Sequence, residues 1–177
     1  MMIMEMERLL EEKLEAENRV KDGAGWFYWI AGLSVINTLI TFFGGNWNFV
    51  IGLGITQVLD AIAYEFSLEA GNIFNLIAVA MDIFIAGIFA YFGLQAGKRK
   101  RWAFILGMVL YALDGLLFLL VSDWMSIGFH ILALYSIFKG YRAIGGLLGL
   151  EAELDSARVE YTAKEKSEEP GDADKMV

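Results

Sequence analysis

The fourteen lysines and arginines of this chain fall in three places only: residues 8–21, residues 98–101, and from Lys139 onward. Between them run long stretches with almost no charge. Five apolar segments result, Gly25–Phe43, Trp47–Phe66, Ile73–Leu94, Trp102–Val121 and Trp124–Ile144. Each has about the 20 residues that a helix needs to cross a hydrocarbon core. In lipid every backbone N–H and C=O must find a protein partner, so only helices and closed barrels span. Barrel strands alternate apolar and polar residues over about ten positions, and these segments do not alternate. The single proline, Pro170, lies outside all five.

Composition points the same way. Of the 177 residues, 57 % are hydrophobic and 20 % charged, with a mean hydropathy of +0.51. That is too apolar for a disordered chain or an ordinary soluble domain. Trp26, Trp29, Trp47, Trp102 and Trp124 all stand at segment ends, where an interfacial aromatic belt belongs. The expected fold is all-α: a polytopic integral membrane protein with a five-helix transmembrane bundle at residues 23–146 and charged helical tails. Residues 1–22 read as a polar amphipathic helix with Ile3, Met6, Leu10 and Leu14 near one face. Asp22-Gly23 and Gly25 predict a break before the first span. Residues 147–177 read as a charged helix, with Leu147, Leu150, Leu154 and Ala157 near one stripe, then a disordered end.

A shift of 55 residues lays Trp47-Asn-Phe-Val-Ile-Gly52 over Trp102-Ala-Phe-Ile-Leu-Gly107. It also pairs Ser67 with Ser122, Phe74-Asn75 with Phe129-His130, and Ala78 with Ala133. The expectation is two duplicated helical hairpins, spans 2–3 and 4–5.

Two topology rules conflict. Lys98-Arg-Lys-Arg101, Lys139 and Arg142 mark one side as cytoplasmic, and five crossings then send the N-terminus out. Arg19 and Lys21, just before the first span, favour it inside. Both hold only if one of the first three segments fails to cross. Segment 47–66 is the weakest, because Gly52 and Gly54 interrupt it and Thr56, Gln57 and Asp60 make it polar. The favoured reading is five spans in a prokaryotic inner (cytoplasmic) membrane, with the C-terminus cytoplasmic and no cleaved leader.

Four ionisable groups fall inside the segments: Asp60, Asp82, Asp114 and His130. A charge at a helix centre costs about 2.5–3.5 kcal/mol on insertion scales, so such residues mark function by default. Counted along the segments, Asp60, Asp114 and His130 share a depth about 9–10 Å below the outer boundary. Asp82 is expected nearer mid-membrane, and Asn75 close to the outer boundary. Asn37 shares a local frame with Asp60 and Asp114. One level of Asp60, Asp114 and His130 suits a proton or cation pathway, or a set of interhelical hydrogen bonds that fixes packing.

Other chemistry is disfavoured. With no Cys and a single His, thiolate metal sites, iron–sulfur clusters and bis-His haem are out of reach, and no metal or cofactor is expected. Ser34, His130 and an Asp make a triad by residue type only, since no Gly-x-Ser-x-Gly elbow is present. The interspan loops are too short to house an active site, so the chain is read as no enzyme. The net charge of −8 gives no footprint for nucleic acid. The leading expectation is a non-catalytic accessory or scaffold subunit that acts through helix faces and tails. Its partners are the lipid bilayer and copies of itself or a membrane complex. The alternative is a small oligomeric proton- or cation-linked transporter or channel using Asp60, Asp82, Asp114 and His130.

Overall fold

A computed structural model describes residues 2–45 and 52–168. The described residues form five helices: α1 (Met2–Phe42), α2 (Gly54–Ala70), α3 (Ile73–Gly97), α4 (Arg101–Leu120) and α5 (Trp124–Glu168). α1, α3, α4 and α5 are long and apolar enough to cross a membrane. α2 has only 17 residues, about 25 Å of helix. The expected segment 47–66 therefore starts its helix at Gly54, and its first five residues lie outside the described residues.

The break expected at Asp22-Gly23 does not occur, and α1 runs through both it and Gly25. α5 likewise runs through Gly145 and Gly146. Gly23 serves close approach instead. A Cβ on Gly23 would stand 2.7 Å from the Gly140 Cα, and one on Gly140 would stand 2.8 Å from the Gly23 Cα. Two backbones touch at this point, and neither tolerates a side chain there.

α1 and α5 pack antiparallel along most of their length. Buried positions recur at three- and four-residue steps, as in Val20, Gly23, Phe27, Ile30 and Ser34 on α1 and Ala133, Ile137, Gly140, Ile144 and Leu147 on α5. This is the spacing of a coiled-coil seam. The seam extends beyond the apolar part, where Lys13 on α1 lies 3.8 Å from Glu151 on α5. Arg99, in the α3–α4 turn, bridges Glu17 at 2.9 Å and Glu151 at 2.7 Å. The polar ends of α1 and α5 and the basic turn thus meet at one end of the bundle. This corrects the expectation of an N-terminus on the side opposite the C-terminus.

The apolar core sits in the half of the bundle nearer that end. The Phe27 ring meets Phe89, Phe92 and Phe104, with centroids 6.5, 6.1 and 6.2 Å away. Phe27, Phe104 and Tyr111 are fully buried. Large apolar side chains such as Phe84, Leu120 and Ile131 face outward instead, as a surface solvated by lipid tails allows. The other half of the bundle holds the buried polar groups.

Candidate functional site

α2 begins inside the bundle. Its first free backbone amides, which no helix can satisfy internally, are met by other elements. Leu53 N–H donates to Ser34 Oγ at 2.8 Å, Gly54 N–H to Asp114 Oδ2 at 2.8 Å, and Ile55 N–H to Asp114 Oδ1 at 2.9 Å. The residue at the cap position is Leu53, whose side chain cannot accept a hydrogen bond. Asp114 on α4 does this work from a neighbouring helix, and its negative charge faces the positive end of the α2 dipole. Glycine at 54 permits the approach, since a Cβ there would stand 2.8 Å from the Phe118 ring. Ser34 donates to Ile30 O at 2.8 Å while it accepts from Leu53, so its hydroxyl is occupied on both sides.

His130 completes this first cluster. Its Nδ1 lies 2.8 Å from Ser126 O. A carbonyl only accepts, so Nδ1 carries a proton. Its Nε2 lies 3.1 Å from Asp114 Oδ2. Tyr111 stacks on the imidazole with centroids 4.2 Å apart and planes 14° from parallel. Asp114 is 7 % exposed and His130 2 %. Every oxygen of Asp114 is engaged.

A second cluster lies farther along α2. Asp82 on α3 is 1 % exposed, and its Oδ2 accepts the Thr38 hydroxyl of α1 at 2.9 Å. Asp60, half-buried on α2, faces the Asp82 carboxyl and interacts with it through charge and hydrogen bonding. Asp82 Oδ1 is buried and meets no N–H or hydroxyl donor among the described residues, so the carboxyl's remaining partner is the Asp60 carboxyl. Asn37 is buried next to Thr38.

The expected single level of Asp60, Asp114 and His130 is therefore two levels. Asp114 and His130 meet, while Asp60 joins Asp82 about 9 Å along α2 from Gly54. Asn75 belongs to neither. It donates to Asn72 Oδ1 at 3.1 Å near the α2–α3 turn. Sequence reasoning missed Thr38 and Tyr111 as partners, and weighed Ser34 only as a triad member by residue type, not as the acceptor of the Leu53 amide. Ser and Thr are common in apolar spans, and nothing in their spacing marks a hydroxyl that reaches another helix. Among the described residues no group of three or more His, Cys, Asp or Glu is placed to hold a metal ion.

No protein-family model, no curated protein and no solved structure matches the chain.

Proposed function

We propose that this chain is a proton- or cation-linked membrane transporter, oligomeric in the bilayer, in which α2 is a re-entrant helix. In this reading α1, α3, α4 and α5 cross the membrane. α1 ends at the side opposite the termini, and α2 starts between the spans and runs back to that same side. The observation that carries it is the seat of the α2 N-terminus against Asp114. That carboxylate lies six residues from the α4 end at Leu120, hence about 9 Å inside the bundle. Broken helices with their N-termini near mid-membrane, beside ionisable side chains, are a recurrent way to build ion sites in transporters.

Charge placement supports the topology. Arg19, Lys21, Lys98–Arg101, Lys139 and Arg142 all fall toward one end, and the positive-inside rule makes that end cytoplasmic. Both termini are then cytoplasmic, and the conflict between the two rules disappears. The hairpins α2–α3 and α4–α5 are read as a duplicated unit, on the Trp-x-Phe-x-x-Gly run at Trp47 and Trp102. No bond-making chemistry is assigned.

The test is flux in proteoliposomes carrying a pH dye in the lumen. The purified protein is expected to couple proton movement to a Na+ or K+ gradient, and Asp82→Asn to abolish the coupling. Wild-type vesicles no faster than protein-free ones overturn the proposal. A second reading, an accessory subunit, is favoured by Ile3, Leu10 and Leu14, which stand 57 %, 47 % and 58 % exposed on the polar end of α1. That reading predicts that Asp82→Asn changes nothing except stability.

A further inference from the structure

Where α1 and α5 leave the apolar part of the bundle toward the termini, a groove of about 510 Å3 opens between them. Ala16 and Arg19 of α1 and Lys139, Arg142, Ala143 and Gly146 of α5 line it. The Gly23–Gly140 crossing fixes its depth. A Cβ on Gly140 would stand 2.8 Å from the Gly23 Cα and 3.0 Å from the Arg19 carbonyl. In that antiparallel register Lys139 and Arg142 stand level with residues 21–24 of α1. This is about 3–8 Å outward of Trp26 along the helix. Tryptophan marks the membrane interface, so the two cations stand just outside it, at the layer of lipid phosphates.

Side chains on a helix lean toward its N-terminus. α5 runs out of the membrane toward the termini, so Lys139 and Arg142 lean back toward the lipid. The Lys139 ammonium lies 5.8 Å from the centre of the Tyr135 ring, one turn deeper. α1 runs the other way, and Arg19 leans outward onto Glu15 at 2.9 Å. Neither Lys139 nor Arg142 forms an ion pair among the described residues. The two carboxylates on the outer rim are taken, Glu15 by Arg19 and Glu12 by Arg8 at 3.6 Å. The groove therefore offers two unpaired cations at its membrane end and no free carboxylate for an ammonium group. Below them the same face of α5 continues through Phe138, Tyr135 and Ile131, all exposed, as an apolar wall.

We infer that this groove binds one anionic phospholipid, with its phosphodiester on Lys139 and Arg142 and its acyl chains along Phe138, Tyr135 and Ile131. The guanidinium fork matches two phosphate oxygens, and the lysine adds a point charge. A basic pocket between membrane helices suits an anionic headgroup. A zwitterionic headgroup brings an ammonium that meets only further cations and carboxylates already paired. The site requires α1 and α5 to span the membrane and does not depend on transport.

The test uses purified full-length protein in nonionic detergent. It is titrated with phosphatidylglycerol or with phosphatidylcholine of the same acyl chains, and bound lipid is counted by native mass spectrometry. One phosphatidylglycerol per chain is expected to bind about tenfold more tightly than phosphatidylcholine. The double variant Lys139→Gln, Arg142→Gln brings the two lipids to equal affinity. Gly146→Leu does the same without a change of charge, since it fills the groove from a position where a Cβ meets only open space. Lys21→Gln removes a charge at the same depth from a different groove, beside Trp26 and Trp29, and leaves the preference intact. Equal affinity of the wild type for both lipids overturns the inference. So does a preference that Lys21→Gln lowers as much as the double variant, which marks diffuse surface charge. So does displacement of phosphatidylglycerol by an equal concentration of inorganic phosphate, which marks a site for soluble anions. If the double variant does not fold, Gly146→Leu decides: protein that melts like wild type and keeps the preference contradicts the groove.

Discussion

At the residue scale, Asp114 fixes where α2 begins. Removing its side chain strands the Gly54 and Ile55 amides and the His130 imidazole inside the bundle. An unsatisfied buried polar group costs about 1–3 kcal/mol, and these share one acceptor. Asp114→Ala is therefore expected to lose about 2–5 kcal/mol in a detergent unfolding titration. Asp114→Asn, which keeps one carbonyl acceptor, should lose less. Equal stability of wild type and Asp114→Ala would show that α2 is not seated on this carboxylate. Outside the spans, Asp123 caps α5. Its carboxylate accepts the Ser126 hydroxyl at 2.6 Å and the Ser126 N–H at 3.2 Å. The Ser126 hydroxyl first, and then the Ser126 backbone N–H, hold Asp123 below its ordinary value of 3.8. A lowered folded value stabilises the ionised form. The contribution is thus complete above pH 3.8 and is lost as pH falls through the lower folded value. Asp123→Ala is expected to cost about 1 kcal/mol at neutral pH, and the difference should close in acid. A gap that widens in acid contradicts the assignment.

At the scale of elements, the Gly23–Gly140 crossing holds α1 against α5. Gly140→Val puts a branched side chain where a Cβ already stands 2.8 Å from a backbone atom. Overpacking of this kind costs about 1–3 kcal/mol, and thermal unfolding in detergent should register it. Gly128, which a Cβ would leave without contact, serves as the control, with a change under about 1 kcal/mol from helix propensity. The same pair shows what a sequence hides. A glycine in a polar-to-apolar transition reads as a break from one chain alone, because local propensity is all that is visible. Its meaning here comes from a backbone more than a hundred residues away. α3, α4 and the apolar halves of α1 and α5 were legible, because hydropathy and length are local properties. The start of α2 was legible only as a weakness at Gly52 and Gly54. What satisfies its amides is a tertiary contact with Asp114.

At the scale of the whole molecule, the ends of α1 and α5 and the α3–α4 turn lock together through Lys13, Glu17, Arg99 and Glu151. These pairs are partly exposed, and each contributes little on its own. Their value is in recording which parts of the chain share an end. The positive-inside rule had the evidence for this in Arg19, Lys21 and Lys98–Arg101. Read as a crossing, segment 47–66 sets that evidence against itself; read as the re-entrant helix proposed above, it does not. Of the candidate site, the four ionisable residues were legible from their rarity in apolar segments. Their pairing was not, because the depth of Asp60 was counted from an outer end at Phe66, whereas α2 runs on to Ala70. Asp60 therefore belongs with Asp82 and not with His130.

The most direct test of this account exploits the lack of native cysteine. Single cysteines at Glu7, Phe43, Asn72 and Ala163 are challenged in intact cells with a membrane-impermeant maleimide. Phe43 follows α1, and Asn72 lies in the α2–α3 turn. A re-entrant α2 predicts that Phe43→Cys and Asn72→Cys both label from outside, while Glu7→Cys and Ala163→Cys label only after lysis. If Phe43→Cys and Asn72→Cys report opposite sides, α2 crosses the membrane and the account is wrong.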